Sequence, residues 1–242
     1  MMTTHVNNEH ITYDAFLSEH LGEETYKVTA GKSLDEETRT AVRDLQARDV
    51  FLYCKIPVEN MTVASQLAAL KFQLVDNLVT LEKEIKPQET AAFHKEIRLA
   101  NPADEAATVE VARSSFQYSR FHADQRIDNA HADRVKAEWV RNFFRGKRGT
   151  DMVLGIVNGE VAGFSQLLRA GDVLVIDLIA VAPTARKRGL ATDMINYAQQ
   201  YCRGNCGKYR VGTQMANIPS INLYQNLGFT VTQKDYVYHY HT

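Results

Sequence analysis

The stretch Ala182–Met194, APTARKRGLATDM, decides how this chain is read. It places three cations, Arg186, Lys187 and Arg188, in a turn and then opens an apolar segment with Gly189 and Ala191 at its mouth. The run before it, VIDLIAVAP, reads as a β-strand, and Leu190, Met194, Tyr197, Ala198 and Tyr201 recur three and four apart, as on one helix face. A strand passing straight into a helix leaves the first amide N–H groups unpaired, and the helix dipole adds partial positive charge there. Gly189 allows backbone and ligand to approach closely and Ala191 keeps the helix start thin, so two phosphates fit the nest. Short glycine patterns also recur by chance, and three cations equally describe a solvated turn. The flanking sequence has to decide.

Working outward, DNAHADRVKAEWVRNFF sets Ala132, Val135, Lys136, Trp139, Val140 and Phe143 on one helical stripe, with the Lys136 stem able to lie along it. Between Asp151 and Pro183, turns at Asn158-Gly159 and Ala170-Gly171-Asp172 predict a three-strand meander. Past the cationic turn and its helix come a strand, KYRVGTQ, and a short helix, NIPSINLYQNLGF, closed by Gly228. A last strand, TVTQKDYVYHYH, follows; its histidines alternate as strand residues do and suggest no metal site.

Taken together, VIDLIAVAP, the Arg186-x-x-Gly189-x-Ala191 turn, and Asn217, Tyr224 and Leu227-Gly228-Phe229 resemble the GNAT superfamily of acyl-CoA-dependent N-acetyltransferases over roughly residues 97–242. The resemblance implies a mixed α/β GNAT fold, a central mixed sheet flanked by helices, with acetyl-CoA as co-substrate. It implies that the strand before the turn splays from its neighbour, so that Leu178–Val181 offers backbone groups to the cofactor. The N–H near Ile179 would face the acetyl carbonyl, and Ala180 and Val181 the pantetheine amides. Arg186, Lys187, Arg188, Gly189, Leu190, Ala191 and Thr192 would hold the pyrophosphate, with Asn217, Asn222 and Tyr224 completing the cofactor set. RSSFQYSRFHADQRI and AEWVRNFFRGKRG are similar to dTDP-fucosamine acetyltransferases, which acetylate the 4-amino group of dTDP-4-amino-4,6-dideoxygalactose. That similarity implies a nucleotide-sugar acceptor and direct transfer in a ternary complex.

Acetyl transfer needs a neutral amine, a polarised thioester carbonyl and a proton for the departing thiolate. A phenol supplies that proton without carrying charge beforehand, which points to Tyr224. The general base stays open between Asp177, His122 and ordered water. Simple alternation puts Val175, Asp177, Ile179 and Val181 on one strand face, with the Asp177 carboxylate near the acetyl end. A salt bridge to Arg120 or Arg169 is its other reading. Arg120, His122 and Arg126 form a polar cluster suited to a diphosphate, with Tyr118 or Phe121 to stack on a thymine ring; a solvated loop describes the same residues. His131, Lys136 and Arg141 read as helix surface.

The first third echoes the last. From Asn60 to Phe72 is the same interval as from Asn217 to Phe229, and in both an Asn precedes a short apolar helix and a strand follows the Phe. This predicts a degenerate GNAT-like domain over 1–88 and a catalytic domain over 95–242 joined by the charged, Pro87-broken run EKEIKPQE. Leu67 stands where Tyr224 stands, Lys71 where Gly228 stands, and no Arg-x-x-Gly-x-Ala turn precedes them, so this copy should not bind CoA. Chance matching of two amphipathic helices is the other reading.

Composition narrows the classes. A net charge of -1 over 242 residues, 45% of them hydrophobic, argues against a nucleic-acid binder, since phosphate backbones are gripped by clustered Lys and Arg. The run DVLVIDLIAVAP is too short to span a bilayer, and the opening MMTTHVNNEHITYDAF lacks a cationic leader and an apolar core, so a cytoplasmic protein is expected. Cys54, Cys202 and Cys206 are expected as reduced thiols, with no metal. The expected partners are acetyl-CoA and a small amine, with a homodimer left open. A GNAT acting on a protein N-terminus or lysine, and a non-catalytic acyl-CoA-binding regulator, remain the rival functions.

Overall fold

Asn158 and Gly159 both take positive φ, 54° and 81°, the primed turn whose twist suits a two-residue hairpin. Around it the meander forms as its turns predict. The computed structural model describes residues 6–86 and 93–242. Its first part runs β1 (Ile11–Tyr13), α1 (Ala15–Leu21), β2 (Glu24–Val28), α2 (Glu36–Gln46), β3 (Val50–Pro57), α3 (Met61–Ala69) and β4 (Gln73–Glu84). The second continues with β5 (Glu96–Leu99), α4 (Glu105–Ser115), α5 (Arg120–Ala123), α6 (Asn129–Phe144), β6 (Asp151–Val157), β7 (Glu160–Ala170), β8 (Val173–Val181), α7 (Leu190–Cys202), β9 (Lys208–Gln214), α8 (Ile218–Asn226) and β10 (Thr230–His241). The run EKEIKPQE therefore begins inside a strand, because Glu82–Glu84 belong to β4; Pro87 and the residues after it lie outside the described residues.

The strands form one mixed sheet in the order β1-β2-β3-β10-β4-β9-β8-β7-β6-β5, with β2–β3 and β8–β9 parallel and the other pairs antiparallel. The last strand of each part pairs with the other part: β4 lies between β10 and β9, and β10 between β3 and β4. The 157-residue interval from Asn60 to Asn217 also carries each residue of the β3 and β4 ladders onto its counterpart in β9 and β10, Pro57 onto Gln214 and Leu78 onto Asp235. Leu78 faces Gln214 and Asp235 faces Pro57; Glu84 faces Lys208 and His241 faces Phe51. In the central β4–β10 pair Leu78 faces Asp235, and the register slips occur at Val75 and Thr232, again 157 apart. Asn60 and Asn217 each cap their helix, accepting from the N–H of Val63 and of Ser220. Lys71 and Gly228 each follow the helix end with positive φ, 63° and 84°. Withdrawing either interleaved strand would strip ladder partners from two strands of the other part, so the two parts depend on one another for their sheet.

Helices cover both faces. α7 packs over β6, β7 and β8 around Leu190, Met194 and Ala198. α4 and α6 cover the other face of the meander around Val109, Val140 and Phe164. A separate cluster of Leu17, Phe51, Phe121, Ile127 and Val135 joins α1 and β3 of the first part to α5 and α6 of the second. Three side chains depart from expectation here. Lys136 is 7% exposed, not surface, because α6 is covered on two sides. Cys202 and Cys206 are joined as a disulfide rather than held as thiols, which leaves Cys54 as the free, buried cysteine. His239 and His241 lie on the last strand, as expected, and that strand is in the middle of the sheet. Among the described residues no helix is long and apolar enough to cross a membrane.

Candidate active site

The site begins where two parallel strands part. β8 and β9 share a ladder from Val173/Lys208 to Ile176/Val211, and both run on beyond it, β8 to Val181 and β9 to Gln214. From Asp177 onward the side of β8 that faces β9 carries no ladder bonds, so an extended ligand can pair with it as a strand would. Leu178, Ile179, Ala180 and Val181 line this gap.

A one-residue bulge reorganises the faces of β8. Leu167 faces Ile176 and Gln166 faces Leu178, so Asp177 is the extra residue. Leu174 and Ile176 point into the core under α7, Leu178 and Ala180 into the core under α4 and α6, and Ile179 and Val181 turn back toward α7. Asp177 therefore does not share a face with Ile179 and Val181, as unbroken alternation predicts. Its partner also differs from the expected Arg120 or Arg169. The Arg148 guanidinium donates from Nε and Nη2 to its two oxygens at 2.7 and 2.8 Å, and Gln166 Nε2 donates at 2.9 Å. Arg169 pairs with Asp151 instead.

At the far end of β8 the anion nest is built as a left-handed turn. Lys187 has φ 61° and Gly189, the N-cap of α7, φ 81°, and no side chain caps the helix. The first-turn N–H groups of α7 are thereby left to a ligand. A Cβ at Gly189 would stand in open space. Leu190 turns inward over the cross-strand pair Gly155 and Gly163; a Cβ at Gly155 would lie 2.6 Å from Leu190 Cδ1. These glycines set α7 close to the sheet. Ala191 and Thr192 are half-buried, and Lys187 and Arg188 remain exposed cations. Arg186 is committed elsewhere: it donates from Nε to the Val181 carbonyl at 3.2 Å and from Nη2 to the Ser115 carbonyl at 2.7 Å. It bolts the turn to α4, where a phosphate contact was expected.

Asn217 is similarly spent within the chain, its Oδ1 on Ser220 N–H and its Nδ2 on Thr213 Oγ1 at 3.1 Å, so it orients α8. Asn222 is exposed on α8. Tyr224 is 2% exposed beside Phe229, and burial pushes its phenol well above the usual range, which keeps it protonated. Tyr209 on β9 is within electrostatic reach, and its own hydroxyl is buried without a hydrogen-bond partner.

A cleft of about 360 Å³ is made by both parts of the chain. Asp14, Phe16 and Tyr53 come from the first part, Arg120, Trp139 and Arg148 from the second. Phe16 and Trp139 are stacked, with ring centroids 6.0 Å apart. The Arg120 guanidinium lies 4.1 Å over the Tyr53 ring and Arg148 4.7 Å over Trp139. Burial pushes the Tyr53 phenol up to about 12, and its hydroxyl donates to Asp14 at 2.8 Å. Behind the cleft Lys136 is caged by Trp139 and Phe116, and burial, aided by the nearby Arg120 and Arg148, brings its ammonium down to about 7.

The expected trio of Arg120, His122 and Arg126 is not one cluster. His122 bonds Ser119 Oγ through Nδ1 at 2.6 Å and Asp133 through Nε2 at 3.0 Å, so both ring nitrogens are occupied. Arg126 reaches away to the carbonyls of His241 and Thr242. Phe121 is fully buried in the joint between the two parts and is not free to stack on a base; Tyr118 is exposed. Arg148 and Trp139 were legible only as members of a basic turn and an apolar stripe. Asp14, Phe16 and Tyr53 had no sequence signal, since their role depends on pairing between parts far apart in the chain.

Beyond Arg126, Asp124 Oδ2 accepts from His239 Nδ1 at 2.6 Å and from His241 Nε2 at 2.8 Å. These three ligand-type atoms lie within 4.8 Å of one another, so the trio could hold a metal ion where the alternation of the histidines suggested no metal site. Burial alone would raise the Asp124 carboxyl, but the bonds from both histidines outweigh it and hold it far below the usual range.

The sequence pattern of the Acetyltransferase (GNAT) family matches residues 108–229. The chain is 30% identical over 200 residues to the spore coat polysaccharide biosynthesis protein SpsD of Bacillus subtilis (strain 168), covering 82% of this chain and 68% of that one. Its fold is similar to a conserved protein of unknown function from Staphylococcus epidermidis ATCC 12228, with TM-score 0.67 and 11% identity over 98% of this chain and 93% of that one. It is also similar to a tandem GNAT protein from the clavulanic acid biosynthesis pathway, with TM-score 0.61 and 13% identity over 90% of this chain and 75% of that one. The parted strands, the uncapped helix start and the matched half of the sequence agree: this chain belongs to the GNAT acetyltransferase family and is an acyl-CoA-dependent N-acetyltransferase.

Proposed function

We propose that the chain moves acetyl from acetyl-CoA to the amine of a nucleotide-linked amino sugar, a dTDP-linked 4-amino-4,6-dideoxy sugar, in a ternary complex. The observation that carries this reading is the cleft beside Asp177, where guanidinium groups and aromatic rings stand together. Arg120 and Arg148 suit a diphosphate, and the Phe16–Trp139 pair suits a planar base. A relative whose name places it in spore coat polysaccharide biosynthesis supports a sugar acceptor. The pantetheine chain lies along Ile179–Val181, the pyrophosphate sits on the amides of Lys187–Thr192, and Tyr224 protonates the departing thiolate. Arg148 positions Asp177, whose role is to orient the acceptor. We read residues 1–88 as a degenerate copy of the unit in 95–242, on the shared 157-residue interval and the likeness to a tandem GNAT protein, and place the enzyme in the cytoplasm, where acetyl-CoA and nucleotide sugars meet.

Release of CoA thiol is the test, with dTDP-4-amino-4,6-dideoxygalactose, free amino sugars and lysine-containing peptides offered in parallel. The dTDP-linked sugar should be preferred, and Arg120→Ala should raise its KM about tenfold, the loss of one charge-assisted contact, while leaving that for acetyl-CoA unchanged. Equal use of the peptides or free sugars overturns the acceptor class and leaves the cofactor reading standing.

A further inference from the structure

An amine attacks a thioester only after losing a proton, and an amino sugar reaches the enzyme as an ammonium. The groups first expected to take that proton are already engaged. Asp177 spends both oxygens on Arg148 and Gln166, and His122 spends both ring nitrogens on Ser119 and Asp133. Asp76, on β4, is differently placed. It lies just beyond the point where Met215 N–H donates to Asn77 O at 2.7 Å, beside Gln214, where β9 has left β8. The Gln214 side chain and the Asn77 N–H approach its carboxylate, yet its Oδ2 is buried with no hydrogen-bond partner. The charges facing it are Arg120 of α5, which lines the cleft, and Lys136 of α6. Leaving a buried carboxylate oxygen unpaired is costly, and a bound ammonium would satisfy it.

We propose that Asp76, contributed by the first part of the chain, takes the proton from the acceptor ammonium; this rests on seating the acceptor in the Arg120–Trp139–Arg148 cleft. Asp76 accepts one proton and becomes the neutral acid. The freed nitrogen lone pair forms the C–N bond at the thioester carbonyl, the C–S bond breaks, and its electron pair leaves on sulfur. Tyr224 gives its proton to the thiolate and is restored by the second proton that nitrogen sheds on becoming an amide. The Asp76 proton passes to solvent on product release. Burial lifts the Asp76 carboxyl to about 6, the range in which a base is both ionised and able to hold a proton near neutrality.

The pH dependence of kcat/KM, with whichever dTDP-amino sugar the wild type acetylates, separates this role from a structural one. Wild type should show an acid limb near 6, and Asp76→Asn should lose it, with kcat down about a hundredfold and the KM for acetyl-CoA unchanged. Asp76→Glu should restore the limb. Lys136→Met should shift the limb to higher pH, because a cation that favours the carboxylate is gone. An unaltered profile in Asp76→Asn, or abolition of the limb by Lys136→Met alone, overturns the proposal. Should wild type acetylate none of the amino sugars, the acceptor reading has failed by itself. Asp76 is then decided in the full chain labelled with carboxyl-13C aspartate, its signal identified by its loss in Asp76→Asn. A midpoint near 6 supports the proposal and one in the ordinary carboxylate range overturns it.

Discussion

Two helix starts, α2 in the first part and α7 in the second, occupy matching places and do opposite things. The parallel ladder before α2 stops at Val28/Cys54 and the one before α7 at Ile176/Val211, and Cys54 and Val211 are again 157 apart. After α2's ladder the strand ends at once. Asp35 caps the helix, accepting from Thr38 N–H at 2.7 Å, and Glu36 and Glu37 add negative charge to its first turn. Gln66 of α3 closes the space beside it, accepting from Leu34 N–H at 2.7 Å and donating to the Leu34 carbonyl at 3.1 Å. In the second part the strand runs on with its β9 side unpaired, Gly189 leaves the helix start open, and Tyr224 stands where Leu67 stands. On the proposed reading the first part has a self-satisfied helix start that repels anions and the second an open one that receives the pyrophosphate.

The sharpest way to break this comparison is at the phenol. Tyr224→Phe should lower kcat about a hundredfold with little change in either substrate's affinity, because the proton matters when charge develops on sulfur. Leu67→Tyr should confer nothing, as no thioester reaches α3. Wild-type turnover in Tyr224→Phe, measured at saturating substrates, would reduce Tyr224 to packing and erase that difference between the halves.

Next in size is a contrast at the interleaved strands. β10 ends in His239 and His241 where the matching positions of β4 carry Glu82 and Glu84. Burial lowers the His241 imidazole, but its hydrogen bond to Asp124 and its ion pair with Glu23 outweigh that and raise it to about 9. Its stabilising contribution is therefore complete below the unfolded value near 6.5 and is lost as pH rises through about 9. Burial takes His239 the other way, down to about 4, so it opposes folding increasingly as pH falls from 6.5 toward 4. Chemical denaturation should show ~2 kcal/mol of stability lost between pH 6.5 and 9.5, a loss absent in His241→Asn. A flat profile in wild type would show that the pair contributes nothing.

Smaller effects test the two helix starts directly. Gly189→Val places a side chain at φ 81° and into the phosphate's approach, and CoA affinity by calorimetry should fall about tenfold or more. Asp35→Ala should leave CoA affinity untouched and cost about 1 kcal/mol of stability, the value of a lost helix cap. A change of CoA affinity in Asp35→Ala would mean that the first part also holds the cofactor.

What the sequence determined by itself is whatever depends on neighbours along the chain. Asn158-Gly159 specifies a hairpin turn, the spacing of Leu190 to Tyr201 a helix face, and Arg186-x-x-Gly189-x-Ala191 a helix start free of a cap, because turn dihedrals and side-chain periodicity are local. The equal intervals after Asn60 and Asn217 were legible for the same reason. Tertiary structure decided what depends on strands meeting across the chain. The interleaving of β4 and β10, the bulge that turns Asp177 toward Arg148, and the burial of Lys136 follow from pairing and coverage that no local pattern encodes. The cleft belongs to the same class: Asp14, Phe16 and Tyr53 meet Arg120 and Trp139 only because α1 packs on α6, and Asp76 reaches the parted strands only because β4 is buried between β9 and β10. Electrostatic character follows burial and partners, which exist only once the chain has closed on itself.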